Sequence, residues 1–454
     1  MLFKHCIKEV NGLSFVYEHL QLCSSIGKSR LLNQPFLTGE NEIENELKKV
    51  EHFILFQQNN PTLLHPLVTL LHDVNDIQQT IQNLHSLQVV DDIELFEIKK
   101  LAFISQKVAD IFQKGEYNDL KINDLSKVFS LLDPENTQIP HFYIYAAYDE
   151  TLAKIRKQIL QTEDANEREQ LTWEATRIED EIREKLSEIL HPYWSALQDN
   201  LSVLAEIDLL NAKGQLFTEW GWHRPETSTK NTSYHQLVHP EVKNIVNENG
   251  GHFQAVDIQL EMAPCLITGA NMSGKTVLLK SLSLAQHLFQ FGFYVPAEKA
   301  QIAIADRIFC LIDDQQNERH GLSSFATELL NMNTIIETVK QGSRTLVLVD
   351  ELARTTNPEE GKQLVNAFVE MMQRYHTMAV VTTHYGNIPA QCRRLRVKGL
   401  SLPTLSAHIT PKDLNRYMDY ALEETTATDV PTEALRIAEF FHIDQEFLEL
   451  AKSN

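Results

Sequence analysis

Apolar residues recur every three or four positions along most of residues 1–225, the spacing of amphipathic helices. The longest such pattern lies between Pro140 and Pro192, where neither glycine nor proline occurs. Its apolar positions are Leu152, Ile155, Ile159, Leu171, Ala175, Ile178, Ile182, Leu186 and Ile189. Residues 161–168 have no apolar anchor, so they form either the tip of a helical hairpin or an interruption of one long helix.

The pattern changes after a polar, proline-containing segment at residues 223–233. Short apolar runs separated by helical stretches follow, and the clearest predicted strands are residues 266–268, 345–349 and 378–382. The last forty residues or so return to a helical pattern that includes residues 434–441. We therefore predict an all-helical domain over residues 1–225 and an α/β domain over residues 226–454.

Composition places the chain among globular proteins, with 43% hydrophobic and 23% charged residues in 454. The formal net charge of −21 disfavours a surface devoted to nucleic acid, although a local basic patch is compatible with it. Five cysteines are scattered without metal-binding spacing, which favours a reducing compartment. Because no apolar run approaches the ~20 residues of a membrane helix, we expect a cytoplasmic protein.

The strongest motif is a phosphate-binding loop that follows the predicted strand at residues 266–268. Its residues, in the pattern G-x-x-x-x-G-K-[ST], are Gly269, Ala270, Asn271, Met272, Ser273, Gly274, Lys275 and Thr276. Such glycines let backbone N–H groups surround phosphates at a helix N-terminus. Lys275 would contact the terminal phosphates, and the Thr276 hydroxyl would bind Mg²⁺. A chance glycine turn before a buried helix is the alternative, which the strand and helix around the motif disfavour.

Two acidic residues, Asp350 and Glu351, follow the apolar run at residues 345–349. At the end of a parallel strand, Asp350 would hold Mg²⁺ through water, and Glu351 would polarise the water that attacks the γ-phosphate. Acids at strand ends also serve as helix caps, but the phosphate-binding loop favours the catalytic interpretation. His384 follows the third predicted strand and is interpreted as a γ-phosphate sensor, with a structural histidine as the alternative.

Together these residues resemble the MutS family of ATPases. The resemblance runs through Ile267-Thr-Gly-Ala-Asn-Met-Ser-Gly-Lys-Thr276, Tyr294-Val-Pro-Ala-Glu298, Asp306-Arg-Ile-Phe309, Gly321-Leu-Ser-Ser-Phe325 with Glu328, Asp350-Glu351 and Thr383-His384-Tyr385. More weakly, the helical part resembles the core and lever region of that family. The resemblance implies an ABC-type P-loop ATPase domain, ATP and Mg²⁺ as cofactors, and catalytic roles for Lys275, Glu351 and His384.

Further roles follow only from the resemblance. Ser323 and Ser324 match the signature segment that contacts the ATP of a partner subunit, which implies a homodimer with a C-terminal dimerisation segment. Phe253 lies where the family places an aromatic residue that stacks on adenine. Departures include Ser273 and residues 352–357, where the family usually has glycine or a glycine-containing loop. The chain also begins at the core and has only a short hairpin tip, so we expect no mismatch-reading domain and no DNA clamp.

The resulting expectation is ATP binding and hydrolysis coupled to movement of the helical part. By the resemblance, DNA in repair or recombination is the expected partner, bound weakly and without selectivity for mismatches. The first alternative is an ATP-driven protein-remodelling factor, such as the short MutS-like ATPases that reactivate lysine 5,6-aminomutase. The second alternative is a dimeric scaffold that binds nucleotide without hydrolysing it, which the presence of Lys275, Asp350 and Glu351 disfavours.

Overall fold

The computed structural model of the chain describes residues 1–138, 141–269, 273–312, 324–354, 356–400, 417–426, 435, 438–439 and 443–453. The chain folds into two compact units, one helical and one α/β. The helical unit comprises Leu20–Gln34 and Lys49–Leu216, and the α/β unit comprises Met1–His19, Pro35–Lys48 and Phe217–Asn454. Helices followed by an α/β part are the predicted fold class, which is confirmed. The boundary predicted at residue 225 stays a prediction.

Helices dominate the chain up to Trp220. They are α1 (Phe3–Cys6), α2 (Leu13–His19), α3 (Ser25–Leu32), α4 (Glu40–Asn59), α5 (Pro61–His72), α6 (Gln78–His85), α7 (Asp92–Lys114), α8 (Ser126–Leu132), α9 (Glu150–Gln161), α10 (Ala165–Leu190) and α11 (Trp194–Trp220). The later helices are α12 (Pro240–Glu248), α13 (Lys275–Gln290), α14 (Ser324–Lys340), α15 (Pro358–Arg374) and α16 (Gln445–Ser453). Among the helices that the structure describes, none has the length and apolar composition needed to cross a bilayer.

The predicted hairpin is present in the helical unit. Helices α9 and α10 pack against each other and are joined by only residues 162–164. Both helices begin with an aspartate cap: the Asp149 carboxylate accepts from the backbone N–H of Leu152, and that of Asp164 accepts from Asn166. Of the two alternatives for residues 161–168, the hairpin tip is therefore correct.

A buried ion pair fixes the loop that precedes this hairpin. The Lys99 ammonium has no exposed surface and donates to the Asp133 carboxylate at 3.0 Å, the His141 carbonyl at 2.7 Å and the Tyr145 hydroxyl at 3.0 Å. All three N–H donors of the lysine thus have acceptors, which is the condition under which a buried charge is tolerated. Removal of either charged partner would leave the other charge buried without its counterion.

The described residues of the α/β unit form two sheets. Its strands are β1 (Glu226–Ser228), β2 (Thr232–Leu237), β3 (Val256–Leu260), β4 (Pro264–Thr268), β5 (Lys299–Ala303), β6 (Arg307–Leu311), β7 (Thr345–Val349), β8 (Met378–Thr383), β9 (Arg393–Leu400) and β10 (Met418–Glu424). One sheet has the order β1-β5-β2-β3, and the other has the order β10-β9-β4-β8-β7-β6. Among the described strands of the second sheet, β10 is the one that is antiparallel to its neighbour.

The centre of the six-stranded sheet consists of β4, β8 and β7, whose residues are all buried. Parallel strands covered on both faces read as continuous apolar runs, which is why the sequence predicts these three strands. Their carboxyl ends meet at one edge of the sheet, where ligands gather in open α/β sheets. The phosphate-binding loop, Asp350 and His384 follow β4, β7 and β8 at this edge.

Helix α13 connects this edge to the N-terminal segment of the same unit. Thirteen of its sixteen residues are buried. At its end, the Gln290 carbonyl accepts from the Leu37 backbone N–H at 2.9 Å, and the Gln290 amide group donates to the Leu37 carbonyl at 2.8 Å. Just beyond the helix, the Phe291 ring contacts Phe3 edge-on at 5.1 Å between centroids. Residues near the N-terminus therefore complete the core around α13.

The C-terminal part of the chain is described only in pieces. Most of the amphipathic stretch predicted at residues 434–441 lies outside the described residues. Helix α16 follows it and leaves Phe447 and Leu450 about 60% exposed.

Candidate functional site

A cavity of about 680 Å³ opens at the carboxyl edge of the six-stranded sheet. The described residues that line it are Leu237, Val242, Val246, His252, Phe253, Gln254, Val256, Ser273, Gly274, Lys275, Thr276, Val277, Leu278, Ser281, Ile312, Asp350, Glu351, Arg354, Val397, Tyr420 and Leu422. Apolar walls with a few convergent polar groups are typical of small-molecule sites. The cavity therefore brings together Phe253, the second half of the phosphate-binding loop and both predicted acids.

The second half of the phosphate-binding loop lines the cavity at the N-terminus of α13. Gly274 precedes the helix with φ = +81°, a left-handed conformation that glycine adopts without strain. A Cβ at Gly274 would come within 2.9 Å of the Tyr420 ring. Ser273 is 2% exposed, and its hydroxyl has no hydrogen-bond partner among the described residues. A buried hydroxyl without a partner at a helix N-terminus suits an anionic ligand.

Lys275 is 4% exposed, and its ammonium group donates to the Gly269 carbonyl at 2.9 Å. Gly269 follows directly after β4, so the lysine side chain reaches back to the start of its own loop. Ala270, Asn271 and Met272, which the sequence also predicts to contact the nucleotide, lie outside the described residues.

Asp350 is held by two hydroxyl groups. The Thr276 hydroxyl donates to Asp350 Oδ2 at 2.5 Å, and the Thr382 hydroxyl donates to Asp350 Oδ1 at 2.5 Å. A hydroxyl and a carboxylate in contact provide the hard oxygen ligands that Mg²⁺ prefers when phosphates and waters complete its shell. The two predicted metal ligands therefore fit Mg²⁺. In the described part of the chain, no cluster of three or more His, Cys, Asp or Glu residues could hold a metal by itself.

Glu351 lies beside Asp350 with its backbone in the left-handed region, at φ = +46°. Its backbone N–H donates to the Thr382 hydroxyl at 2.9 Å, and its carboxylate pairs with the Arg354 guanidinium at 3.2 Å. The glutamate side chain is only 16% exposed, so its direction is constrained. A backbone in this region is strained for a residue other than glycine and occurs often at functional sites.

The loop after Glu351 departs from the glycine-containing loop of the family. Ala353 is buried and has φ = +61°, a conformation that suits glycine. Its backbone N–H donates to the Glu328 carboxylate at 2.7 Å, and its carbonyl accepts from the Tyr385 hydroxyl at 2.7 Å. These two hydrogen bonds compensate for the unfavourable backbone conformation of Ala353.

His384 directly follows β8 and is half-buried, but it does not line the cavity. Burial lowers the pKa of His384 below its usual value. The charge of Glu351 opposes this shift, and the charges of Lys275 and Arg354 reinforce it. His384 is therefore electrostatically coupled to the predicted base and to the predicted phosphate ligand.

The described lining of the cavity includes Phe253, which the sequence predicted, and Tyr420, which it did not. Tyr420 belongs to β10. Hydrogen bonds of the side chain of Gln254, the residue after Phe253, connect that strand to the segment around Phe253. The Gln254 side chain donates to the Asp419 carboxylate at 2.8 Å and accepts from the Tyr420 backbone N–H at 3.0 Å. Aromatic faces on a cavity wall suit a planar ring of a ligand.

The predicted trans signature is only partly within the described residues. Ser323 is outside them, and Ser324 is the first residue of α14. Their predicted contact with a partner subunit stays a prediction.

Comparison with known proteins places the α/β part in a family. Residues 265–453 match the family model described as MutS domain V. Similar proteins include an endonuclease MutS2 from Ligilactobacillus salivarius (strain UCC118), 35% identical over 216 residues, and one from Streptococcus sanguinis (strain SK36), 33% identical over 211 residues. A DNA mismatch repair protein MutS from Dehalococcoides mccartyi is 32% identical over 229 residues.

These alignments cover 46–49% of this chain and 26% of each relative, so the chain spans about a quarter of the length of the curated relatives it matches. The matched region contains the phosphate-binding loop, the acidic pair after β7 and the histidine after β8. Residues 265–453 are therefore similar to domain V of the MutS family.

Proposed function

We propose that the chain binds ATP with Mg²⁺ in the cavity at the carboxyl edge of the six-stranded sheet and hydrolyses it. The observation that carries this proposal is the 2.5 Å hydrogen bond between the Thr276 hydroxyl and the Asp350 carboxylate. It joins the end of the phosphate-binding loop to the end of β7, and both side chains are hard oxygen ligands. Thr276 and Asp350 would hold Mg²⁺, whose charge would act on phosphates bound at the N-terminus of α13.

The predicted site residues then have distinct roles. Lys275 and the N–H groups at the start of α13 bind the phosphates, and the Ser273 hydroxyl adds another donor. Phe253 and Tyr420 contact the nucleobase. Glu351 orients the attacking water and takes up its proton. His384, which does not line the cavity, acts on the γ-phosphate side of the site through its electrostatic coupling to Glu351 and Lys275. Mg²⁺ supplies the positive charge that offsets the charge developing on the phosphate oxygens.

We expect the purified protein to hydrolyse ATP only when a divalent cation is present. EDTA in excess over Mg²⁺ should reduce phosphate release to the level of a protein-free control, and added Mg²⁺ should restore it. Colorimetric phosphate release measures both states. Hydrolysis that persists in EDTA would contradict the assignment of Thr276 and Asp350 as metal ligands.

DNA is the partner that we propose for this ATPase. The names of the relatives include an endonuclease and a DNA mismatch repair protein, and no comparison favours the protein-remodelling alternative. We propose that binding is weak, sequence-blind and without preference for mismatches, because the formal net charge of −21 leaves few surfaces attractive to phosphates. Contacts of this kind position a duplex without reading its bases.

Fluorescence anisotropy with matched, mismatched and branched DNA at 50 and 200 mM salt tests this proposal, with and without ATP. We expect similar affinities for all three forms and a loss on the order of tenfold or more at the higher salt. Tight, salt-resistant binding that selects the mismatch would contradict weak, unselective binding. Negligible binding to every form would remove DNA as the partner and return attention to a protein client.

We further propose that the active form is a homodimer whose sites combine the phosphate-binding loop of one subunit with Ser323 and Ser324 of the other. In a heterodimer of Ser323→Ala and Lys275→Ala subunits, one of the two composite sites is intact. We therefore expect the mixture to recover part of the ATPase activity that each variant lacks alone. A mixture as inactive as its components, together with a monomeric mass in ATP, would rule out this arrangement.

A further inference from the structure

Thr382 lies near the carboxyl end of a central strand of the six-stranded sheet. It is the penultimate residue of β8, the strand that lies between β4 and β7. The side chain has no exposed surface and does not line the cavity, so it cannot contact a nucleotide there. Any effect of Thr382 on the site must therefore act through its neighbours.

The Thr382 hydroxyl links the two acids that follow β7. An ionised carboxylate only accepts hydrogen bonds, so the single hydroxyl proton of Thr382 points to Asp350 Oδ1, at 2.5 Å. The oxygen lone pairs of Thr382 are then able to accept from the Glu351 backbone N–H, at 2.9 Å. One hydroxyl thus fixes the orientation of the Asp350 carboxylate and the left-handed backbone of Glu351.

In the described part of the chain, the hydrogen bonds to the Asp350 carboxylate come from two elements. Its Oδ2 atom accepts from Thr276 at the start of α13, and its Oδ1 atom accepts from Thr382 on β8. When the Thr276 oxygen serves as a metal ligand, its bond to Asp350 must rearrange. The bond from Thr382 involves the opposite carboxylate oxygen, so it can persist and keep the Asp350 carboxylate in one orientation.

We propose that Thr382 is a positioning residue that couples the orientation of the metal-binding Asp350 to the placement of the base Glu351. This inference rests on the proposed function, because it concerns how the same site holds Mg²⁺. Partners that orient a metal-binding group typically contribute about 10- to 100-fold to metal affinity or activity. Threonine supplies this link because its hydroxyl both donates and accepts, which valine of nearly the same shape cannot do.

The experiment compares Thr382→Val with Thr382→Ser and with the wild-type protein. Dissociation constants of ATP are measured by calorimetry, with Mg²⁺ and with EDTA. Electron paramagnetic resonance measures the affinity for Mn²⁺ in the presence of ADP, without turnover. We expect Thr382→Val to weaken Mn²⁺ binding about 10-fold or more while its affinity for metal-free ATP stays near that of the wild type. Thr382→Ser should restore metal binding.

Thr377→Val is the matched control, because Thr377 is a buried threonine just before the opposite end of β8. It should leave Mn²⁺ affinity unchanged. If Thr382→Val does not fold, Thr382→Ala, which loses the same hydroxyl without added bulk, is measured instead.

The outcomes separate this inference from the proposed function. A wild-type protein that binds neither ATP nor Mn²⁺–ADP refutes the function itself. If the wild type binds both, equal Mn²⁺ affinities in the wild type and in the valine or alanine variant overturn the role of Thr382. A serine variant as impaired as the valine variant overturns it too, since the hydroxyl would then not be the group that matters.

Discussion

Replacement of Glu351 by glutamine is expected to slow ATP hydrolysis by roughly 10²-fold or more and to leave nucleotide affinity nearly unchanged. Glutamine keeps the size of the side chain but cannot take up a proton from water. The 16% exposure of the Glu351 side chain and its place beside Asp350 support the role of a positioned base. Single-turnover hydrolysis and the ATP dissociation constant, measured on the same preparation, separate chemistry from binding.

The ion pair between Glu351 and Arg354 requires its own control, since Glu351→Gln also weakens that pair. Arg354→Gln breaks the ion pair but keeps the Glu351 carboxylate, so it should reduce the rate much less than Glu351→Gln does. Equal rate losses in the two variants would assign the effect to the ion pair, and the base would have to be sought elsewhere.

Lys275→Ala is expected to weaken ATP binding about 10- to 100-fold, the effect of losing a hydrogen bond from an ammonium group to a phosphate. Lys275 is 4% exposed and lines the cavity, so its charge is poorly screened by water. Calorimetric titration with ATP measures the affinity, and circular dichroism checks that the variant is folded.

Lys280→Ala is the matched control for Lys275→Ala. Lys280 is on the same helix but does not line the cavity, so the variant removes an equal charge without removing the proposed phosphate contact. Its ATP affinity should stay near that of the wild type. If Lys275→Ala binds ATP as tightly as Lys280→Ala, the phosphate-binding loop is assigned wrongly.

The central strands could be predicted from the sequence because their environment imposes a simple pattern. Strands β4, β7 and β8 are covered on both faces, and each reads as an unbroken apolar run. The predicted ends agree with the structure to within two residues. Because a parallel sheet gathers carboxyl ends at one edge, the sequence also predicted that Lys275 and Asp350 share a site.

Residues whose role depends on sheet order could not be predicted in the same way. Thr382 matters because β8 lies between β4 and β7, and the sequence does not reveal that order. The threonine at the end of an apolar strand was a weak signal that, in retrospect, could have marked it. Tyr420 meets Gly274 because β10 pairs with β9, a contact between residues 146 positions apart in the chain.

The packing partners of the first helices could not be predicted from the sequence either. Helical periodicity shows that a helix has an apolar face but not which element covers it. Residues Met1–His19 and Pro35–Lys48 belong to the α/β unit, and the contact of Phe3 with Phe291 is one reason. No local pattern distinguishes these segments from the helices of the other unit.

Because α13 is buried, it is a rigid connection between the proposed phosphate site at its N-terminus and the segment around Leu37 at its C-terminus. Sixteen residues at about 1.5 Å each span about 24 Å. A helix enclosed by tightly packed neighbours cannot bend to absorb a shift at its phosphate end. Any axial displacement of α13 when a phosphate departs must therefore reach Gln290. Because two hydrogen bonds join Gln290 to Leu37, Leu37 must move together with the end of the helix.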